Sequence, residues 1–283
     1  MKFIFTADLH GNIIQYEKVF AYAADNHIST IIFGGDLTPK DEKVRTPSFQ
    51  RIFLQNSLFP LIKKSKVKNI LMIMGNDDFK SNESFLYDSQ EAVGFKLFNN
   101  KSVFLDGFYF VGYPFVPYTP FVWKDWEKRD LESDMGRNLR KETVKEGFIS
   151  KGNDFIKKNI FEDMKLSSIE KELEALTHNI PSDKLILVTH TPPYNTNCDY
   201  TNGKDGKLIH VGSKAVRKII EKRQPLLSLH GHIHDTVQNT GVFPDYLGKT
   251  ICAAVGNDHV GEHLYIIKGE IGKTVSIKRE RLG

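Results

Sequence analysis

The sequence predicts an α/β protein: a mainly parallel sheet flanked by helices, with a second sheet packed on it. Three observations carry this. Short, continuous, β-branched apolar runs recur along the chain and end in polar, metal-capable residues. Helical patterns with three-to-four spacing lie between several of these runs, and two later stretches read as short strands joined by tight turns. The 283 residues include 40% hydrophobic and 26% charged side chains, the mix of a globular chain. A chain of this length buries about three quarters of the surface it exposes when unfolded, so its core needs no disulfide staples.

The first run is Phe3-Ile4-Phe5, leading to Asp8 and His10. It opens like a signal peptide, but polar residues interrupt it too soon for one. A helix follows over 13–24, with Ile13, Tyr16, Val19, Phe20 and Ala23 on one face. Thr30-Ile31-Ile32-Phe33 leads to Gly34-Gly35-Asp36, where the glycines permit close backbone approach. Phe49, Ile52, Phe53, Leu58, Leu61 and Ile62 predict a helix over 49–63, and the run from Ile70 to Met74 then leads to Gly75-Asn76. Residues 95–113 read as short strands joined by Asn-Asn and Asp-Gly turns. Residues 114–165 break the rhythm and read as an insertion over the site edge. Ser167-Ser168-Ile169-Glu170 has the form of a capping box opening a helix of Ile169, Leu173 and Leu176. Leu185-Ile186-Leu187-Val188 leads to Thr189-His190, and Ser213 caps a helix with Val216, Ile219 and Ile220. Leu226-Leu227-Ser228-Leu229 leads to His230-Gly231-His232-Ile233-His234, and residues 250–278 supply three last strands. The whole reads as one domain over 1–283, with the insertion at about 114–165.

Right-handed crossovers place all five strand ends at one edge of a sheet, where ligands of open α/β sheets bind. Asp8, His10, Asp36, Asn76, His190, His232 and His234 can therefore converge although they are scattered along the chain. Asp8 and His10, two apart at a strand end, can face one ion; Asp36 has two oxygens and can bridge; His232 and His234 can send one ring to each of two ions. The donors are nitrogen and oxygen without thiolate, which suits Mn, Fe, Zn, Co or Ni. Two ions about 3.5–4 Å apart would bind phosphate oxygens, acidify a water and stabilise in-line displacement, so hydrolysis of a phosphate ester needs no protein nucleophile.

Asp8-x-His10, Gly35-Asp36, Gly75-Asn76, Thr189-His190 and Gly231-His232-Ile233-His234 resemble, in order, the five motifs of the calcineurin-like metallophosphoesterases. The resemblance runs from residue 3 to 234 and implies a four-layer α-β-β-α sandwich with two mixed β-sheets. It implies Asp8, His10, Asp36 and His234 on one divalent metal ion, and Asp36, Asn76, His190 and His232 on a second. The segment from Thr189 to Tyr194, with Gly212-Ser213 and Gln224-Pro225, is most similar to small prokaryotic-type members related to cyclic-nucleotide phosphodiesterases. In one respect the chain departs from the family: many members have a histidine after the motif-three Gly-Asn, which protonates the leaving group, and here Asp77 stands there. Near two cations its carboxyl pKa should fall, making it a poor acid. His230 and His210 are the other candidate donors.

The resulting expectation is a cytoplasmic, metal-dependent phosphodiesterase or phosphomonoesterase acting on a small phosphorylated substrate, a nucleotide being one form. A net charge of +4 spread along the chain does not favour nucleic acid, although a nuclease is an alternative within this family. A catalytically weak scaffold that kept the fold is a second alternative, supported by Asp77 and opposed by the intact ligand set. The aromatic cluster Tyr113, Phe115, Tyr118, Phe121, Trp123 and Trp126, with Lys124, Lys128 and Arg129, reads either as a nucleotide clamp or as packing of the insertion. His27, His178, His259 and His263 read as solvated or structural. Cys198 and Cys252 make no framework, which suggests a reducing compartment, and no apolar run approaches the roughly 18 residues of a membrane span.

Overall fold

Alternate residues of β1 (Lys2–Thr6) point to opposite faces, and Phe3, Ile4 and Phe5 are all fully buried. A strand apolar on both faces has to be covered on both, and that requirement sets the architecture. The computed structural model describes residues 1–41, 43–134, 139–257, 263–272 and 274–283. In the first sheet β1 runs parallel to β2 (Thr30–Gly34), then β3 (Asn69–Ile73) and β4 (Lys96–Leu97). The second sheet begins with the hairpin of β5 (Lys101–Leu105) and β6 (Phe108–Tyr113). Two ribbons follow in the insertion: β7 (Val116–Pro117) with β8 (Glu127–Lys128), and β9 (Glu146–Lys151) with β10 (Asp154–Asn159). The second sheet resumes at β11 (Leu185–Thr189), parallel to β6, while β12 (Tyr200–Asn202) and β13 (Leu208–His210) pair outside it. It is completed by β14 (Leu227–His230), β15 (Asp245–Leu247) and β16 (Thr250–Ala254). The chain then returns to the first sheet with β17 (Leu264–Ile271), antiparallel to β1, and β18 (Val275–Leu282).

The strand orders are therefore β18-β17-β1-β2-β3-β4 and β15-β16-β14-β11-β6-β5. This corrects the expectation of five strand ends on one sheet: β1, β2 and β3 belong to the first and β11 and β14 to the second. The chain changes sheets between β4 and β5, where Asn100 takes a left-handed turn, and the β-α-β rhythm resumes with a helix and β11, after the β5–β6 hairpin and the insertion's ribbons. Phe3, Phe5, Ile32, Leu71 and Ile73 of the first sheet pack against Phe110, Ile186, Val188, Leu227 and Leu229 of the second. Ile4, Ile31, Phe33 and Met72 face outward into a helix-covered core, as do Leu185 and Leu187. Each such side chain contributes about 1.5–3 kcal/mol by leaving water. The sheets are thus the two inner layers of a sandwich and the helices its outer ones, as the resemblance implies.

The helices keep most expected bounds. α1 (Ile13–Asp25) starts at Asn12, whose side chain accepts from the Gln15 amide. The helix expected over 49–63 is instead α2 (Pro47–Phe53) and α3 (Phe59–Lys64), joined by a π-helical turn over Leu54–Leu58. Pro60 explains the break, because it lacks the N–H an α-helix would need there, and a wider turn before it relieves the clash with the preceding carbonyl. α4 (Glu83–Val93) lies in a stretch with no sharp apolar stripe and was not expected. At α5 (Ile169–Thr177) the cap is Ser168, accepting from the Lys171 amide, so the Ser167–Glu170 box does not form. Glu170 instead accepts from the Glu132 amide and pairs with Lys218. Ser213 caps α6 (Lys214–Arg223) as expected, and α7 (Thr236–Thr240) follows the last motif. Cys198 and Cys252 are buried and unpaired. Among the described residues, no helix is long and apolar enough to cross a membrane.

Candidate metal centre

The loops that follow the strands are strained into shape. Asp8, His10, Asp36 and His232 all adopt left-handed backbone conformations, with φ of 62°, 42°, 53° and 66°. Such conformations cost non-glycine residues about 1–3 kcal/mol each and persist only where surrounding bonds over-determine them. Those bonds are present. The Asp8 amide donates to the Gly35 carbonyl at 3.0 Å, the His10 amide to Asp36 at 2.9 Å, and the Gly231 amide to His190 at 3.1 Å. The Asp78 carboxylate accepts from the Leu37, Thr38 and Gly75 amides and from the Thr38 hydroxyl. Asp78 was missed in the sequence; its only signal was a second acid directly after Asp77.

These loops bring together all seven residues expected as ligands. Asp8, His10, Asp36 and His234 each offer a donor atom within 4.8 Å of the others. Asp36 Oδ2 lies 3.6 Å from His10 Nε2 and 3.5 Å from His190 Nε2, so one carboxylate faces both groups. His190 Nε2 meets Asn76 Oδ1 at 3.0 Å, and the His190 and His232 rings are 5.2 Å apart. His190 Nδ1 donates to the Gly34 carbonyl at 2.8 Å, which leaves Nε2 as the nitrogen that would face a metal once its proton is displaced. The two parts close on each other where the His232 amide donates to Asp8 Oδ1 at 3.0 Å.

A cation fits this donor set. Asp8 Oδ2 is buried and has no hydrogen-bond partner, and the Nε2 atoms of His10 and His234 face each other at 3.4 Å. Acceptors and lone pairs crowded together in this way are costly unless something positive lies among them. The electrostatics agree. Burial pushes Asp8 up to about 7. Burial also opposes the charge of Asp36, but His190 and His10 outweigh it and hold Asp36 well below the usual carboxylate range. Burial weakens His190 as a base, yet the Asp36 carboxylate beside it prevails and pushes it up to about 9. Burial, with His190 nearby, takes His232 down to about 3.

A divalent ion entering here must displace the protons of Asp8 and His190, whose pKa values are about 7 and about 9. Affinity should therefore rise with pH, by about tenfold per unit for each proton displaced. Both protons are held below pH 7, and only that of His190 from there to about 9. Mn²⁺ titrated calorimetrically at pH 6.5 and 8.0 should bind on the order of a hundredfold tighter at the higher pH, with proton release visible in buffers of different ionisation enthalpy. Equal affinities at the two pH values would contradict this assignment.

Asp77 sits beside this group with its carboxylate already engaged. Oδ1 is 2.7 Å from Arg45 Nη2, and Oδ2 lies 3.7 Å from both Lys40 Nζ and His10 Nδ1. In the metal-free protein burial and the Asp36 charge raise its pKa more than Arg45 and Lys40 lower it, the reverse of the direction expected for the metal-loaded site. Arg45 also packs over the Phe79 and Trp123 rings, at 5.3 and 5.4 Å from their centroids, which ties the insertion to this motif. His230, the other candidate donor, is fully buried in β14, bonded through Nδ1 to the Thr189 hydroxyl at 2.9 Å, and burial pushes it down to about 3. It does not line the site cavity. His210 Nδ1 donates to the Asp199 carboxylate at 2.7 Å and lines a neighbouring cavity. His259 lies outside the described residues.

A cavity of about 390 Å³ opens over Asp36, Asn76, His232 and His234, while Asp8, His10 and His190 lie deeper. Its outer wall comes from the insertion, through residues 117–121 and Arg140. Of the aromatic cluster, Tyr118 and Phe121 reach this wall. Trp126 is fully buried, donating to the Asp78 carbonyl, and Trp123 packs on Phe79 and Phe155. Lys124 pairs with Glu127, and Lys128 with Glu172, so most of the cluster packs the insertion onto the sheets.

Two crystal structures share this architecture. One superposes with a TM-score of 0.63 at 15% identity, covering 100% of this chain and 99% of that one. The other, TT1561 of Thermus thermophilus, gives 0.54 at 16% identity over 98% and 97%. In sequence, 55 residues are 47% identical to the uncharacterized protein MJ1162 of Methanocaldococcus jannaschii, and this match spans 18% of the chain and only 24% of that curated relative. The description Calcineurin-like phosphoesterase matches residues 1–236. That span ends just past His234 and takes in all five strand-end motifs, so the chain belongs to the calcineurin-like phosphoesterase family.

Proposed function

We propose that this chain hydrolyses phosphate esters of small molecules, using two divalent ions drawn from Mn, Fe, Zn, Co and Ni. The observation that carries the reading is the convergence, at one cavity, of seven ligand-type side chains around an unsatisfied Asp8 oxygen. Asp8, His10, Asp36 and His234 would hold one ion, and Asp36, Asn76, His190 and His232 the other. Such ions supply Lewis acidity: they acidify a water at neutral pH and offset charge on phosphoryl oxygens. The chain does the rest. Asp36 faces both groups and sets their separation; the Gly34 carbonyl orients His190; Lys40, 3.3 Å from His10 Nε2, adds positive charge at the cavity edge. A volume of about 390 Å³ suits a nucleotide-sized substrate better than a polymer. The two free, buried cysteines are consistent with a cytoplasmic setting.

The test compares p-nitrophenyl phosphate with bis-p-nitrophenyl phosphate on chelator-stripped protein, with and without Mn²⁺. Nitrophenolate leaves with little need of a proton donor, so the engaged carboxylate of Asp77 cannot mask activity. Turnover that appears only with metal is the expected result, and the preferred ester separates monoesterase from diesterase. No turnover with two ions bound would favour the scaffold reading instead.

A further inference from the structure

Arg140 has no task in simple ester hydrolysis. It comes from the insertion and lines the site cavity with Asp36, Asn76 and His232. It also lines a second cavity, of about 230 Å³, with Asp130, Asp134, His210 and Lys214, so it stands at the joint between the two. One of its nitrogens is anchored: Nη2 donates to the Val211 carbonyl at 2.6 Å and to Gly212 at 3.4 Å. Its remaining N–H groups make no hydrogen bond, and it forms no ion pair, among the described residues. Lys40, the other cation on this wall, is committed to Asp77 and His10. Arg140 reaches the cavity from the insertion and Lys40 from the loop after β2. A partly buried guanidinium, held by backbone carbonyls and acted on by the Asp130 and Asp199 carboxylates only from beyond hydrogen-bond reach, keeps N–H groups to offer a phosphate.

The leaving group is the part of the reaction that this wall favours selectively. An alkoxide needs a proton as it departs, and Asp77, which lines the cavity after Asn76, has both oxygens turned to Arg45, Lys40 and His10. A departing phosphate needs none, because its second pKa is about 6 and a cation can take its charge. We propose that Arg140 binds the leaving phosphate of a phosphoanhydride, so that the substrates are pyrophosphate-linked nucleotides, with base or sugar against Tyr118 and Phe121. This rests on the phosphoester-hydrolase reading above. The water oxygen bonds to the attacked phosphorus, the bridging P–O bond breaks with its electron pair on the departing phosphate, and the water's proton goes to solvent.

The test uses the Mn²⁺-loaded full chain and two readouts. In equilibrium binding, α,β-methylene-ADP, whose bridge resists hydrolysis, should bind at least about tenfold tighter than AMP, as a charge-assisted bidentate contact predicts. Arg140→Ala should erase that preference, and Arg140→Lys, which keeps the charge but not the fork, should keep part of it. In turnover, the ratio of kcat/KM for a dinucleoside pyrophosphate over bis-p-nitrophenyl phosphate should fall about a hundredfold in Arg140→Ala. A binding preference unchanged in Arg140→Ala overturns the assignment, whether or not the protein turns over any ester. Nitrophenyl ester hydrolysis with no preference for the diphosphate in the wild type also overturns it, while leaving the hydrolase reading intact.

Discussion

An Asp36→Asn protein should fold, bind fewer than two divalent ions per chain, and lose metal-dependent hydrolysis of nitrophenyl esters by more than about 100-fold. Loss of a residue that merely orients a ligand costs about 10–100-fold in metal affinity or activity. Asp36 stands closer than that, with Oδ2 3.6 and 3.5 Å from the Nε2 atoms of His10 and His190 and Oδ1 accepting from the Asp77 amide at 2.8 Å. An asparagine would keep one acceptor for that amide but turn an NH₂ toward two imidazole lone pairs. The substitution carries a second signature that does not depend on catalysis. In the metal-free wild type Asp36 raises His190 to about 9, so the pair stabilises the fold fully below the ordinary histidine value of 6.5. That contribution fades as pH rises through about 9, and in Asp36→Asn it should be missing. Metal content by elemental analysis, turnover, and melting temperature across this pH window check the three parts. Near-wild-type activity in this variant would sink the shared-carboxylate assignment.

Gly35→Ala should be at least as damaging, and in a different way. Gly35 has φ of 104°, a backbone conformation that L side chains rarely adopt. A Cβ there would stand 2.5 Å from His190 Nδ1, the atom that donates to the Gly34 carbonyl, and 3.0 Å from Gly75 Cα. The backbone strain alone costs about 1–3 kcal/mol. Relief of the clash would have to move His190, and with it the contact to Asn76. The expected result is a melting temperature several degrees lower, at about 2–4 °C per kcal/mol for a chain of this size class, together with loss of the chelator-sensitive part of that stability. Thermal scans with and without chelator separate the two variants. Asp36→Asn should melt much as the metal-free wild type does near pH 9, whereas Gly35→Ala should fall below it. A Gly35→Ala protein as stable as the wild type would show that the loop has room the distances deny.

The features legible in the sequence are those fixed by short-range pattern. Continuous apolar runs such as Leu185-Ile186-Leu187-Val188 announce strands covered on both faces, and metal-capable residues at their ends announce a shared edge. Pattern could not say which sheet a run joins, because Ile186 shares a buried core with Leu71 and Phe5 of the other sheet, a relation that leaves no local trace. The π-helical turn before Pro60 and the choice of Ser168 over Ser167 as a cap are settled by geometry one residue at a time. Asp78 and Arg140 were missed for opposite reasons. Asp78 works entirely on backbone amides and one neighbouring hydroxyl, contacts that a sequence does not display, and Arg140 lies in an insertion that no periodicity organises.

The return of the chain to its first sheet bears on how the protein is made. β1 lies in the interior of that sheet, yet its antiparallel partner β17 is synthesised only after every strand of the second sheet. Until residues 264–271 emerge, the edge of Phe3-Ile4-Phe5 has nothing to pair with, and such an edge is a template for aggregation. The hydrogen bond from His232 to Asp8 spans 224 positions, so a nascent chain cannot close the site early. Synthesis therefore passes through a long interval in which one edge of β1 is complete and unpaired, and a chaperone that shields Phe3-Ile4-Phe5 would protect that edge.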